Sequence, residues 1–392
     1  MYTQNTPVHV KLWHKDFWIL ATANMFIAMF AYMQLVMLPE WMSTTLQFTD
    51  MEIAAAMGIH GAGPFLVGCF CTFLIQKYRR HRVCLSAIAV MVGVMFAYYY
   101  IFNYGLPSRY LFAALLSLRL IDGAAFGMAE MVLLSTLIID KCESFRRTEA
   151  NHSAAWFSRF ALSIGPTLTA VLMSLMDFSL LFIIVGAVGL AAIVLILTVE
   201  FPFKAPDDNV KRFSLDRFFF PPGKWLFVNL LIITTVIGLL FSYRQTFMFY
   251  GMMMIGFFLA LLAQRFVFVN AELKSEVTAG VILMTAGIIT MLSPDLKAVN
   301  IISPVLIGCG FGLAASRFLL FFIKLTQHCQ RGTVQSTYFL SCEAGLSLGL
   351  FLGYAFVKDI TSLVASSLLA LVLALAMYLF FTHHWYMANK NR

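Results

Sequence analysis

The residues of this chain best suited to chemistry are charged side chains that interrupt long apolar stretches. An ionisable group in an apolar environment costs roughly 2.5–3.5 kcal/mol on membrane-insertion scales unless it is paired or solvated. Residues that carry such a cost are candidates for binding a charged ligand or for carrying a proton. The six are Arg119, Asp122, Glu130, Arg159, Arg317 and Glu343.

The elements that position these charges follow from the composition. The chain has 392 residues, of which 61% are hydrophobic and only 12% are charged. A soluble fold of this length cannot cover so much apolar surface. A membrane-spanning segment must satisfy its own backbone hydrogen bonds, which favours helices. We therefore predict an all-α membrane protein with several spans.

A spanning helix needs about 20 apolar residues, and this rule predicts twelve transmembrane helices. The seventh and eighth are separated only by Ser242 to Gln245. The predicted spans are 17–39, 52–75, 83–103, 110–138, 152–175, 178–199, 225–242, 246–268, 277–293, 298–323, 333–356 and 362–382.

The distribution of basic residues predicts the orientation. With the N-terminus inside, 20 of the 27 Lys and Arg residues fall in cytoplasmic segments and 4 in outer segments. This asymmetry follows the positive-inside rule and predicts that both termini are cytoplasmic. It also accounts for the net charge of +8 without a nucleic-acid partner. We expect a multi-pass protein of the cell membrane, which is the inner membrane if the source is Gram-negative.

A charged segment rich in proline, residues 200–224, follows the sixth predicted span. It divides the chain into an N-terminal bundle of six helices, 1–199, and a C-terminal bundle of six, 225–392. We predict that residues 200–224 form a cytoplasmic linker.

The two predicted bundles contain related sequences, as expected for an internal repeat. GAAFGMA at 123–129 resembles GCGFGLA at 308–314, with an offset of 185. Residues 147–165 align with 331–349 at an offset of 184, and each segment runs from Arg to Gly. The repeat predicts two pseudo-symmetric bundles.

Twelve spans, two related halves and a long central loop resemble the major facilitator superfamily. Its fourth-span motif, RxxxG with further glycines, matches Arg119, Gly123 and Gly127. The Gly-Pro motif in the fifth span of its antiporters matches Gly165 and Pro166. The resemblance implies a secondary transporter of the drug-efflux, proton-antiporter-like branch.

The superfamily's loop motif between spans two and three, GxLxDRxGRR, is degenerate here. The matching residues 72–81 keep Leu74, Lys77 and Arg80, but Gln76 replaces the acidic residue. The resemblance makes several residues candidates for conformational or gating roles. They are Gly123, Gly127, Gly165, Pro166, Lys77 and Arg80.

Three charges lie in the fourth predicted span. Asp122 follows Arg119 by three residues, a spacing that permits pairing on a helix. Arg119 lies about 14 Å into the span, and Glu130 lies roughly 16 Å deeper and roughly 20° away around the helix. Two structural alternatives remain open. For Arg119 and Asp122, the alternative to a functional role is an ion pair that only holds helices together. For Glu130, it is a purely structural pair with an Arg near the cytoplasmic face.

Glu343 is the leading candidate for proton coupling. The repeat aligns it with Arg159, and it lies about 15 Å into the eleventh span. No acid or base lies within one helical turn of it. Because an apolar environment favours the neutral form of a carboxyl group, such a residue exchanges a proton when water reaches it. Asp122 and Glu130 are further candidates, and the alternative for Glu343 is a fixed salt bridge to Arg159 or another Arg.

Polar residues within the spans are candidates for a substrate-binding cavity. Arg317, in the cytoplasmic third of its span, is expected to extend towards the interface rather than line this cavity. The cavity candidates are Arg119, Arg159, Asn24, Tyr32, Gln34 and Arg317.

The sequence predicts no enzyme, because it lacks catalytic and nucleotide-binding motifs. Its seven cysteines show no paired zinc spacing, so neither a metal nor a cofactor is predicted. We expect a monomeric, proton-driven exporter of a small amphipathic organic molecule, whose partners are its substrate, protons and the lipid bilayer. One alternative is proton-coupled uptake of a sugar or organic acid. Another is a sensor or a membrane-embedded enzyme on the same fold.

Overall fold

The computed structural model describes residues 11–201, 211–243, 245–269, 271–293, 296–326 and 330–390. These residues form helices and connecting turns without a β-strand, which confirms the predicted all-α class. The helices are α1 (Lys15–Thr44), α2 (Asp50–Gly68 and Cys71–Lys77), α3 (Arg80–Tyr104), α4 (Ser108–Asp140), α5 (Arg147–Met173), α6 (Phe178–Leu197), α7 (Lys224–Ser242), α8 (Phe247–Phe266), α9 (Leu273–Thr290), α10 (Val299–Lys324), α11 (Arg331–Phe356) and α12 (Ile360–Asn389).

Most of these helices have the length and composition of membrane spans. Within the described ranges, ten are long and apolar enough to cross a membrane, and the bent pair that forms α2 makes eleven. The remaining helix, α5, has 27 residues. It falls short in composition because it carries polar and charged side chains such as Asn151 and Arg159, which are buried inside the bundle.

The second predicted span is not a continuous α-helix. A 3₁₀ turn at His60–Ala62 interrupts it, and the chain bends by 52° between Gly68 and Cys71. Helix α4 also departs from regular geometry, because Leu133–Leu137 form a π-helical turn near its end. Such turns commonly occur at functional positions in helices.

The helix packing repeats between the two halves of the chain. Helix α1 packs against α5 as α7 packs against α11, and α2 packs against α4 as α8 packs against α10. The α3–α6 contact likewise corresponds to the α9–α12 contact. The halves meet where α2 packs against α11 and α5 against α8. The packing therefore has the predicted pseudo-symmetry.

Glycines at equivalent positions of the repeat make equivalent close contacts. Gly123 packs against the backbone of α2 at His60, and Gly308 packs against the backbone of α8 at Met253. Gly165 and Gly349 bring α5 and α11 against the backbones of α1 and α7. Small residues permit this approach because no side chain separates the helices.

The two ends of the bundle differ. At one end α1 begins, α12 ends and residues 211–223 lie across the helices; we call this the linker side. At the opposite end, the far side, α1 ends and α2 begins. Residues 202–210 of the predicted linker lie outside the described residues.

The packing of α7 against α11 yields a stability prediction. A Cβ added to Gly349 would overlap the Thr235 carbonyl oxygen and lie 2.8 Å from the Gly238 Cα. We expect Gly349→Ala to lose about 1–3 kcal/mol of stability through overpacking, seen as a lower melting temperature in detergent.

Gly93→Ala is the matched control, because a Cβ at this exposed position of α3 would meet nothing within 4 Å. Alanine is the better helix former, so this variant should melt no lower than the wild type. Equal melting temperatures for the two variants would contradict the assigned packing.

Candidate functional site

A small cavity lies between the two halves of the bundle. Its volume is about 60 Å³, and α1, α4, α5, α10 and α11 contribute its walls. Three charged side chains reach it, namely Glu130, Arg159 and Glu343. The other lining residues are Tyr32, Leu134, Ala155, Ser158, Leu162, Phe311, Gln335, Tyr338, Phe339 and Cys342.

Glu343 of α11 is held by a hydrogen bond across the two halves. The Tyr32 hydroxyl on α1 donates to Glu343 Oε1 over 2.7 Å. The carboxyl group is only 2% exposed, and no salt bridge to it exists in the described part of the chain. The alternative of a fixed pair with Arg159 is therefore not what the structure shows.

Glu130 of α4 faces the same cavity without a partner. It is 1% exposed, and neither carboxyl oxygen has a hydrogen-bond partner among the described residues. The alternative of a pair between Glu130 and an Arg near the cytoplasmic face is not found among the described residues. Because a buried group normally satisfies its hydrogen-bonding capacity, these two oxygens need an explanation.

Arg159 of α5 is the cation of the cavity. Its Nη2 donates to the Tyr338 hydroxyl over 2.8 Å, and its guanidinium carbon lies 4.7 Å from the centre of the Trp156 ring. Its Nη1 lies 3.4 Å from Ser316 Oγ, and its Nε has no partner in the described ranges. Aromatic rings and hydroxyl groups thus position this cation, and no carboxylate of the described residues forms an ion pair with it.

A polar chain leads from Arg159 into the C-terminal half. Ser316 Oγ donates to Gln264 Oε1 over 3.1 Å, and Gln264 Nε2 donates to Glu276 Oε1 over 2.6 Å. Glu276 also forms an ion pair with Arg317. Arg317 is therefore held by a buried carboxylate in the first turn of α9, and it does not line the central cavity.

Arg119 belongs to a separate cluster outside this cavity. Its Nη1 lies 2.6 Å from Gln34 Oε1 and 3.1 Å from Asp122 Oδ2, and its Nε bonds to the carbonyl oxygen of Ala56. His60 lies 3.6 Å from Asp122 Oδ2. Arg119 and Asp122 thus form the predicted ion pair within α4, and it is buried. The hydrogen bonds of Arg119 to Gln34 and Ala56 join α4 to α1 and α2.

Two further candidates, Asn24 and Gly127, lie at contacts between helices. Asn24 Nδ2 donates to the Ala154 carbonyl oxygen and to Ser158 Oγ, over 3.2 and 2.7 Å. This interaction joins α1 to α5 beside the cavity. Gly127 packs against Pro64 of α2. Pro166 lies inside α5, immediately after Gly165.

The linker side has its own set of charges. Arg80 forms an ion pair with Asp140 at the end of α4, and Lys141 binds Asp16 over 2.8 Å. Lys77 lies over the Phe73 ring at 5.4 Å. The loop motif lacks its acidic residue, and the Asp140 carboxylate of α4 instead pairs with Arg80.

Residues 214–220 of the linker contact both halves at this side. Thr333 of α11 donates to Asp216 Oδ1 and accepts from the Arg217 backbone N–H, each over 2.8 Å. Arg217 Nη1 donates to the carbonyl oxygen of Ser135 in α4. Thr72 of α2 donates to the Asp216 carbonyl oxygen. The segment is therefore a strap between the two halves.

A larger vestibule opens at the far side. Its volume is about 600 Å³, and it lies among the ends of α1, α5 and α7 and the beginnings of α2 and α8. Below it, the Ser163 hydroxyl of α5 donates to the carbonyl oxygen of Tyr250 in α8. Contacts between the halves thus separate the vestibule from the central cavity.

Comparison with known proteins identifies the family. A family model described as Major Facilitator Superfamily matches residues 20–350. The chain belongs to the major facilitator superfamily. It is thus a multi-pass membrane transporter rather than an enzyme. No curated protein sequence matches it.

Solved transporters of this superfamily share the fold at low sequence identity. The nucleoside transporter NupG is 14% identical with a TM-score of 0.66, covering 94% of this chain and 100% of its own. The outward-facing transporter FucP is also 14% identical with a TM-score of 0.63, covering 97% and 100%. An outward-facing bacterial homologue of the iron transporter ferroportin is 13% identical with a TM-score of 0.65, covering 95% and 99%.

The hydrogen bonds of Thr333 should hold the strap in place at the linker side. Thr333→Val removes both hydrogen bonds to the strap while keeping the size of the side chain. Each bond contributes about 0.5–1.5 kcal/mol, so trypsin should cleave at the exposed Lys211 and Arg212 about tenfold faster.

Thr285→Val is the control, because among the described residues the Thr285 hydroxyl bonds to the Val281 carbonyl oxygen of its own helix and not to the strap. Its cleavage rate should equal that of the wild type. If Thr333→Val also cleaves at the wild-type rate, the strap is not held by these hydrogen bonds.

Proposed function

We propose that the protein is a proton-driven secondary transporter that exports a small amphipathic organic molecule by alternating access. The observation that carries this proposal is the placement of Glu343 in a cavity between the halves, without a cationic partner in the described part of the chain. A midplane site between two repeats is where a rocking transporter exposes its ligand to each side in turn.

Residues 1–199 and 225–392 are the two moving units in this proposal, and residues 200–224 link them. The linker side is the cytoplasmic side, because it carries most of the basic residues. The protein works as a monomer in the cell membrane, with its substrate and protons as its ligands.

The hydrogen bond from Tyr32 to Glu343 supplies a coupling mechanism. Its two ends belong to different halves, so separation of the halves breaks it and brings water to the carboxyl group. Water stabilises the ionised form and allows the proton to leave, whereas closure favours its return. Glu130 and Asp122 are the alternative proton carriers, to be tested in the same way if Glu343→Gln keeps proton-driven accumulation.

Proton-coupled uptake of an organic acid is the second candidate function. Arg159 favours it, because a guanidinium without a carboxylate partner among the described residues suits an anionic substrate. The two candidates differ in the direction of substrate movement relative to the proton.

The coupling role of Glu343 is testable in proteoliposomes. A substrate is first selected as the compound that most raises the melting temperature of the purified protein. Glu343→Gln keeps an oxygen that accepts from Tyr32 but has no exchangeable carboxyl proton. We expect it to abolish accumulation driven by a pH gradient while substrate exchange between two equal pools continues.

Glu272→Gln, at an exposed position before α9, is the matched control and should accumulate substrate normally. Wild-type proton-driven accumulation by Glu343→Gln would exclude this residue as the coupling site.

The direction of transport is tested with membrane vesicles. An exporter that exchanges substrate for protons should load inverted vesicles whose interior is held acidic, with right-side-out vesicles as the comparison. Substrate that instead moves down the proton gradient together with the proton would exclude antiport and support uptake.

A further inference from the structure

The charges of the central cavity differ from the other buried charges of the bundle. Arg119 is paired with Asp122, and Arg317 with Glu276. By contrast, Glu130, Glu343 and Arg159 share one cavity, and no ion pair involves them in the described ranges. Among the buried charges of the described residues, those without an ion pair therefore lie in this cavity, and an unpaired buried charge is costly.

The two kinds of charge are presented by different walls. Glu130 projects from α4 with both carboxyl oxygens unpartnered among the described residues. Arg159 projects from α5, where Trp156 covers one face of its guanidinium and Tyr338 holds Nη2. Its Nε has no partner in the same part of the chain. Among the described residues, Glu130 on α4 thus lacks a cationic partner and Arg159 on α5 lacks an anionic one.

We infer that the cavity binds a small zwitterion, with its ammonium group on Glu130 and its carboxylate on Arg159. The inference rests on the proposed transport function and names the substrate class of the same site. A zwitterion balances both charges at once. A simple amine would leave Arg159 unbalanced, and a simple acid would leave Glu130 unbalanced.

The assignment leaves Glu343 free for the proton. Its carboxyl group is already held by Tyr32, so it does not need the ligand for a hydrogen bond. The apolar part of the ligand would lie against Leu162, Phe311 and Phe339, which line the same cavity. The arrangement therefore separates substrate binding from proton coupling within one site.

The ligand must enter as the halves part. The cavity of about 60 Å³ is too small for an organic ligand, since ligand pockets usually measure roughly 300–1,000 Å³. The far-side vestibule of about 600 Å³ is large enough for a small organic molecule. Separation of α5 from α8, now joined by Ser163 and Tyr250, would connect the two spaces.

The test is a binding experiment on the purified full-length protein in detergent. The probes are sets of compounds with a common skeleton, each set supplying an amine, a carboxylic acid, an amino acid and an alcohol. One set is phenethylamine, 3-phenylpropionate, phenylalanine and 3-phenylpropanol, and others use C4 to C8 alkyl skeletons. Melting temperatures identify binders, and titration calorimetry gives their dissociation constants.

We expect the amino acid of at least one set to bind at least tenfold more tightly than its three relatives. Glu130→Gln should weaken that amino acid about 10- to 100-fold and leave the carboxylic acid unaffected, since only the charge-assisted bond to the ammonium is lost. Arg159→Gln should likewise weaken binding of the amino acid but leave binding of the amine unaffected. Glu272→Gln should bind every probe as the wild type does.

Absence of zwitterion binding in every set overturns the inference, and so does tighter binding of an amine, an acid or an alcohol. Equal losses for all probes in Glu130→Gln, which folds as judged by its melting temperature, also overturn it. Because no gradient is needed, zwitterion binding without proton-driven flux would retain the inference and reject the proposed function. Proton-driven flux of a non-zwitterion would do the opposite.

Discussion

The cost of an unbalanced charge in an apolar interior governs the arrangement of polar side chains in this bundle. Other buried charges are paired with an opposite charge in the same half, as Arg119 is with Asp122 and Arg317 is with Glu276. These pairs fix helices within one half. The three charges of the central cavity are not balanced in this way among the described residues, and they lie where the halves meet. A ligand or a proton that binds between the halves would therefore lower the electrostatic cost of these unbalanced charges.

The internal repeat places opposite charges at equivalent positions. Arg159 and Glu343 occupy the same position of the two repeats, and both reach the central cavity. Equivalent glycines bring α5 against α1 and α11 against α7. The symmetric backbone thus holds two side chains of opposite charge at one site between the halves.

The linker connects the cavity to the conformation of the whole molecule. Residues 214–220 bond to α2 and α4 in one half and to α11 in the other. Helix α11 also carries Glu343, so displacement of the strap and movement of Glu343 involve the same helix. The ion pair of Arg80 with Asp140 adds a charge interaction at this side in place of the missing acidic residue of the loop motif.

The sequence by itself determined the all-α membrane class, the repeat and the six charged residues inside the predicted spans, because hydrophobic length and period are local properties of the chain. Spacing along one helix also sufficed for the Arg119–Asp122 pair. Spacing could not predict that Tyr32 bonds to Glu343 and Tyr338 to Arg159, or that Glu130 has no partner among the described residues. Glu276, which precedes the predicted ninth span, gave no sign that it would hold Arg317 from 41 residues away. Only the tertiary structure decided which charges share a cavity, because that depends on how separate helices pack and which side chains then face each other.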